Sequence, residues 1–437
     1  MIVDYITPKR AKLFDYLLFV IVFIVVMSRN VVLFTDSPGY IDQDIIRSPI
    51  YPLFLNFTEG LSSTNFNTVT AFFQVILGLL AIHVFMNVIR KVVQLHWFCY
   101  LLLTIIVVSP YVYNHTIANR FLSEALAYPL YLVVVSRFLL LIAFYKKKYL
   151  WQGILFLFIL LLTRTQFLFL VPIASIVCFY LGFSEKKIKK WILPISLLIL
   201  LPFITQLADK TYHKLQHGVF ISTPWTGIHL VAPAMFVADE EDRSLFTSER
   251  EKLFFSTLYA SLAEKELNIN HLSKENALES SAYYRENFTK IANRTIYEEG
   301  KMIVAANEPE LKRFIAVENI TKEMALPLIT DNFKKWCKVY IQNYILGFGT
   351  ARTTLLYVLI LGFSLVMVYK RSNSISKILT FVMTLLLANV AIVAIGMYTI
   401  KRFTFYNDWV IFLVVFILLQ QFSEKLDIKK SQQGTVV

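Results

Sequence analysis

Apolar runs of about 20 residues recur along this 437-residue chain, and each could cross the roughly 30 Å hydrocarbon core of a bilayer as a helix. The runs are continuous rather than alternating, which predicts membrane helices and argues against a barrel. The composition agrees, because 57% of the residues are hydrophobic and only 17% are charged, too few for the surface of a soluble protein. The sequence therefore predicts an all-α polytopic membrane protein.

The apolar runs predict about ten transmembrane helices, and these divide the chain into segments. Residues 1–207 are expected to form an N-terminal transmembrane catalytic module with a first outer loop at 35–66. The polar segment 208–346 has helical periodicity, which predicts a mainly helical extracytoplasmic domain. Residues 347–437 are expected to form the C-terminal transmembrane helices and a short cytoplasmic tail. The predicted spans are 13–34, 67–89, 97–113, 119–143, 149–163, 166–183, 191–207, 347–369, 377–399 and 408–423.

Lys and Arg are distributed unequally between the two sets of short loops. One set carries basic clusters such as 146–148 and 186–190, whereas the opposite set carries few basic residues. Because basic loops stay on the cytoplasmic side, both termini are predicted to be cytoplasmic, and the 35–66 loop and the polar domain are predicted to lie outside an inner or plasma membrane. The net charge of +13 does not indicate nucleic-acid binding, since the polar segment has slightly more acids than bases.

Charged and polar side chains collect at the predicted outer ends of several separated segments. A charge within the membrane costs roughly 2.5–3.5 kcal/mol, so such residues tend to face a polar cavity. For each residue the alternative is a side chain that snorkels to the interface or a structural ion pair. Because several segments contribute, we expect an outward-facing polar cavity. The residues are Arg29, Asp36, Asp42, Asp44, Arg47, Asn114, His115, Arg120, Glu124, Arg164, Thr165, Gln166, Lys401 and Arg402.

The first outer loop reads TDSPGYIDQDIIRSPIYPLFL over residues 35–55. It resembles the first outer loop of the GT-C superfamily of membrane glycosyltransferases, whose bacterial branch includes relatives of protein O-mannosyltransferases and the lipid A aminoarabinose transferase. In that family an acid just after the first span is followed by a Tyr and an R-x-P-x-Y-P segment. The matching positions here are Asp36, Tyr40 and the RSPIYP segment at 47–52.

Two later segments carry the same resemblance. FLSEAL, with Glu124, is similar to the start of the family's fourth span, and Arg402 with Phe403 is similar to a late RF or RY pair. The resemblance covers roughly residues 10–205 and, more weakly, 345–425. Many relatives carry two adjacent acids in the first loop, whereas Asp36 is followed by Ser37, which leaves dependence on a divalent cation open.

The resemblance implies a polyprenyl-phosphate-linked hexose or pentose as the donor and a glycan, lipid or protein as the acceptor. Such a transfer needs a carboxylate that accepts the proton of the acceptor hydroxyl, and cations that bind the phosphate. Asp36 is the expected base, with Asp42 and Asp44 as rivals. Arginine suits the phosphate because it binds bidentately. The expected donor-binding residues are Tyr40, Arg47, Tyr51, Glu124, Arg164 and Arg402.

Two other functions stay open at this point. An O-antigen-type polymerase or ligase would depend on Arg or His in the large outer domain and little on Asp36. A transporter or flippase should show paired broken spans from an inverted repeat, whereas only the region of Arg164 is interrupted here. His213 and His217 have helical i, i+4 spacing, but no nearby acid or Cys completes a metal-ligand set, so no metal site is predicted.

Overall fold

The computed structural model describes residues 7–113, 116–273 and 280–433, so the predicted cavity residues Asn114 and His115 lie outside the described residues. The described residues are helical and contain no strand, which confirms the all-α prediction. Their only strand-like pairing is an isolated parallel bridge between Val32 and Arg120.

The helices up to residue 217 are α1 (Pro8–Met27), α2 (Ser37–Ile41), α3 (Ile50–Leu61), α4 (Phe66–Val93), α5 (Trp97–Val112), α6 (Glu124–Phe144), α7 (Lys147–Thr163), α8 (Leu170–Ser184) and α9 (Ile192–His217). The later helices are α10 (Thr226–Val237), α11 (Glu249–Glu264), α12 (Ser280–Phe288), a π-helix (Thr289–Glu299), α13 (Gly300–Ala305), α14 (Glu310–Asp331), α15 (Phe333–Gly347), α16 (Ala351–Arg371), α17 (Ser374–Gly396), α18 (Lys401–Thr404) and α19 (Asp408–Gln433).

Eight helices within the described residues are long and apolar enough to cross a membrane. They lie at α4, α5, α6, α8, α9, α16, α17 and α19, and they make the chain a multi-pass membrane protein. The other two predicted spans are α1, which begins on a basic segment and contains Asp15, and α7, which has 17 residues. The count of ten spans stays a prediction, as does the sidedness of the predicted segments.

The chain divides into two compact units. The first unit comprises residues 1–209, 359–386 and 405–437, and the second unit comprises residues 210–358 and 387–404. The domain boundaries predicted at 207 and 346 separate membrane segments from an extracytoplasmic segment, whereas the two units are defined by compactness. The predicted boundaries therefore stay a prediction. The polar segment of the second unit is helical, as its periodicity predicts.

In the second unit, α10 packs directly on α14. A side chain at Gly227 would place its Cβ 2.4 Å from the Thr321 Oγ1 and 2.6 Å from the Glu318 carbonyl oxygen, so only glycine permits this approach. The Gly227 N–H donates a 3.0 Å hydrogen bond to the buried Glu318 carboxylate at the first turn of α10, where a negative charge is favoured.

In the first unit, the entry to the first outer loop is tied to the segment before α6. The Asn119 amide donates to the carbonyl oxygens of Val26 at 2.9 Å and Arg29 at 3.3 Å, and the Val32 N–H donates to the Asn119 carbonyl oxygen at 2.8 Å. These bonds satisfy backbone groups where α1 ends. They hold the loop that contains Asp36 beside the segment that leads to Glu124.

Candidate functional site

Asp36 and Arg47 form an ion pair across the first outer loop. Asp36 directly precedes α2, Arg47 lies between α2 and α3, and the Arg47 Nη2 is 3.2 Å from the Asp36 Oδ1. The Arg47 guanidinium also lies over the Tyr40 ring, 4.4 Å from its centroid. The side chain of Asp36 is 35% exposed and that of Arg47 is 17% exposed. The carboxylate is therefore held in place and is still accessible to a hydroxyl group from solvent.

Gly39 gives Arg47 the room to occupy this position. A Cβ at Gly39 would lie 3.0 Å from the Arg47 Nε and 3.3 Å from the Asp44 Oδ2. The same turn is closed by the Arg47 N–H, which donates to the Asp44 carbonyl oxygen at 2.9 Å. The rival acid Asp44 thus lies beside the guanidinium, but Asp42 and Asp44 are both exposed, whereas Asp36 is half-buried.

A second ion pair lies at the start of α6. The Arg164 Nη1 is 2.9 Å from the Glu124 Oε1, with side-chain exposures of 12% and 4%. Ser123 connects the two pairs, because its hydroxyl lies 3.2 Å from the Arg164 Nη1 and 3.0 Å from the Tyr40 hydroxyl. The contacts therefore run without a gap from Asp36 to Glu124.

Arg164 reaches this position because the membrane segment is interrupted there. The helix α7 ends at Thr163, Arg164 is extended with φ −153°, and a 3-10 turn at Thr165–Phe169 leads into α8. Phe167 in that turn stacks on Tyr131 at 5.3 Å and meets Tyr406 edge-on at 4.9 Å. The aromatic contacts fix the turn, and the turn directs the guanidinium towards Glu124.

Tyr51 is fully buried at the first turn of α3. Its ring meets that of Tyr40 edge-on at 5.1 Å, and its hydroxyl donates to the Gln74 side-chain oxygen at 2.8 Å. Burial, and then the proximity of Tyr40 and Glu124, raises the pKa of Tyr51 well above its ordinary value, so it stays a neutral donor. The structure places Tyr51 as a support for Tyr40, and its predicted contact with a donor stays a prediction.

Arg402 belongs to the second unit, in α18, where its guanidinium lies 5.6 Å from the centroid of the Phe403 ring. Direct contacts, together with the hydroxyl of Ser123, join six of the predicted residues, all in the first unit: Asp36, Tyr40, Arg47, Tyr51, Glu124 and Arg164. The roles of all seven predicted residues in binding or catalysis stay predictions.

Sequence reasoning missed Ser123, Gln74 and Asn119. Gln74 donates to the Ala118 carbonyl oxygen at 2.8 Å and so joins α3 and α4 to the segment before α6. The sequence offers a signal for Gln74, because an amide within an apolar run is costly in a membrane and therefore needs partners. The structure shows that Gln74 is fully buried. Ser123 gave no such signal, since serine is common near helix starts.

His213 and His217 stack on each other with ring centroids 5.4 Å apart, and the His213 Nε2 lies 3.2 Å from the Thr223 hydroxyl. Within the described ranges, no group of three or more His, Cys, Asp or Glu side chains is arranged to hold a metal ion.

Comparisons of the chain with family models, with curated proteins and with solved structures find no match. The GT-C resemblance therefore rests on the first outer loop at 35–55, on the FLSEAL segment with Glu124 and on the pair Arg402 and Phe403.

Proposed function

We propose that the chain is a GT-C type glycosyltransferase of an inner or plasma membrane. It transfers a hexosyl or pentosyl group from a polyprenyl-phosphate donor to a hydroxyl group of an extracytoplasmic glycan, lipid or protein. The observation that carries the proposal is the partly exposed Asp36 carboxylate, paired with Arg47 and connected through Tyr40 and Ser123 to the Arg164 guanidinium.

In the proposed reaction, the acceptor oxygen attacks the anomeric carbon while the bond from that carbon to the phosphate oxygen breaks. The electron pair of the broken bond stays on the polyprenyl phosphate, which gains a negative charge. Asp36 accepts the proton of the acceptor hydroxyl, as a general base does. Atoms and charge balance without a further reactant.

Arg47 is proposed to stabilise the departing phosphate. Its Nη2 pairs with Asp36, which leaves other N–H groups of the guanidinium, and the Arg47 side chain is 17% exposed. An arginine with a spare N–H of its fork can bind a phosphate oxygen while it still faces the carboxylate. As charge develops on the phosphate, the guanidinium is attracted more strongly to it, which is the transition-state stabilisation that the reaction requires.

Arg164 and Glu124 are proposed to position the site rather than to react. Their pair is nearly buried, and the 4% exposure of Glu124 leaves little access for an acceptor. Arg164 is also the donor to Ser123, which in turn meets the Tyr40 hydroxyl. The pair of Glu124 and Arg164 therefore fixes the Tyr40 ring, over which the Arg47 guanidinium lies.

The test is transfer by purified full-length protein, supplied with a panel of polyprenyl-phosphate hexoses and pentoses and with envelope extract as acceptor. Release of polyprenyl phosphate is measured. Asp36→Asn keeps the shape but cannot accept a proton, so we expect a loss of about 10²–10⁴-fold. Asp42→Asn, in the same loop but exposed, is the matched control and should retain transfer.

Each alternative function gives a different result in this assay. Full transfer by Asp36→Asn together with loss on substitution of Arg or His in the second unit would favour a polymerase or ligase. Movement of donor lipid across the bilayer without release of polyprenyl phosphate, in wild type and in Asp36→Asn alike, would favour a flippase.

A further inference from the structure

Three polar side chains of α15 make contacts within its own unit. Lys335 pairs with Asp239 at 2.5 Å, and Gln342 accepts a hydrogen bond from Ser281. Asn343 is buried and donates to the Met397 carbonyl oxygen at 2.6 Å. Lys335, Gln342 and Asn343 are therefore bonded within the second unit.

The opposite face of α15 is apolar and points outward. Phe333 is 56% exposed and Ile341 is 52% exposed, and they lie on the side opposite the buried Val339. A surface helix of a soluble domain keeps its large apolar side chains inward and presents polar side chains to water. Phe333 and Ile341 instead extend outward from α15, and large exposed apolar side chains are covered most favourably by an apolar environment outside the protein.

Aromatic side chains continue along the helix and into the next one. Trp336 stacks on Tyr340 at 5.5 Å, Tyr340 on Tyr344 at 6.5 Å, and Phe348 meets both Tyr344 at 5.3 Å and Tyr357 at 5.4 Å. Tyr357 lies in α16, a candidate membrane span. We call these five rings the aromatic ladder. It begins at Trp336, which packs against the core of the second unit, and it connects α15 directly to a candidate span.

Two exposed lysines, Lys334 and Lys338, border the apolar face. Aromatic rings and lysines beside an apolar face are typical of helices that lie in the interface plane of a bilayer, with rings at the headgroup level and amines at the phosphates. Continuity with α16 and this charge pattern identify what covers the face: phospholipid.

We propose that α15 is an interfacial anchor, which lies in the boundary between headgroups and acyl chains and fixes the second unit to the bilayer surface. Phe333, Ile341 and the rings of Tyr340 and Tyr344 contact acyl chains, and the two bordering lysines contact lipid phosphates. The inference is independent of the proposed transfer reaction.

Cys337 lies on α15 one turn after Phe333 and is partly exposed, so it can carry a probe. The probe is attached to full-length protein with Cys99→Ala. Because Cys178 is buried, the fluorophore reacts with Cys337, and the labelled protein is then reconstituted in phospholipid nanodiscs. Quenching by a lipid with a nitroxide near its headgroup is compared with quenching by aqueous iodide. The control carries Cys337→Ala and Thr257→Cys, which places the probe on an exposed position of α11.

We expect the lipid nitroxide to quench the Cys337 probe several-fold more than the Thr257→Cys probe, with iodide showing the reverse order. Lys334→Glu combined with Lys338→Glu should lower lipid quenching at Cys337. Equal quenching of the two positions by both quenchers would overturn the proposal.

Trp336 provides a second measurement that leaves every cysteine in place. Brominated lipids should quench a fraction of the protein's tryptophan fluorescence, and Trp336→Phe should remove part of that quenchable fraction. An unchanged quenchable fraction would likewise overturn the proposal.

Discussion

The buried pair of Glu124 and Arg164 permits a quantitative test of the positioning role. Glu124→Gln leaves the guanidinium nearly buried without its 2.9 Å carboxylate partner. Removal of one member of a buried pair typically costs about 3–5 kcal/mol, because the other charge is left uncompensated. We expect Glu124→Gln and Arg164→Gln each to destabilise the protein by about that amount. The double variant removes both charges, so it should cost clearly less than the sum of the two single changes.

The assay is a double-mutant cycle on full-length protein in detergent, with the free energy of unfolding taken from denaturant titration and transfer measured in parallel. A coupling energy of roughly 0.5–3 kcal/mol is expected for residues in direct contact. The control is the exposed pair of Lys312 and Glu308, also 2.9 Å apart, with side-chain exposures of 67% and 49%. Glu308→Gln should cost less than about 1 kcal/mol because exposed pairs contribute little.

The transfer activity of the same variants distinguishes a positioning role of Arg164 from a role in the chemical step. If Arg164 acts only by position, the double variant should recover part of the transfer that Glu124→Gln loses, because no buried guanidinium is left without its carboxylate partner. Additive losses in stability, with single variants costing less than 1 kcal/mol, would refute the reasoning that this pair is buried and coupled.

Two further predictions concern the first loop and the orientation of the chain. Gly39→Ala should lower transfer, because its Cβ would lie 3.0 Å from the Arg47 Nε. Gly60→Ala is the control and should leave transfer unchanged, because nothing lies within 4 Å of its Cβ. Equal transfer by the two variants would contradict the placement of Arg47. In intact cells that carry the chain with Cys99→Ala and Cys337→Ala, a membrane-impermeant maleimide should label Thr257→Cys, but should label Lys148→Cys only after permeabilisation. The opposite pattern would reverse the predicted topology.

The sequence predicts local features of this protein better than its long-range contacts. The interruption at Arg164 was visible because three polar residues break an apolar run, and α7 and α8 do end and begin around it. The contact of Tyr40 with Ser123 was not visible, because nothing in the local pattern of either segment specifies a partner 83 residues away. The periodicity of α15 likewise defines two faces but does not say which one meets the protein.

Exposure distinguishes the two carboxylates that could act as a base. Glu124 is the first residue of α6, where the helix dipole favours its negative charge, and it is paired with Arg164 at 4% exposure. A carboxylate that is 4% exposed is closed to an incoming hydroxyl group. Asp36 is paired at the longer distance of 3.2 Å and is 35% exposed, so its carboxylate is open to an incoming hydroxyl group. In the reaction that we propose, the two arginines therefore have different roles: Arg47 binds a phosphate oxygen while it still faces Asp36, and Arg164 keeps Glu124 as its partner.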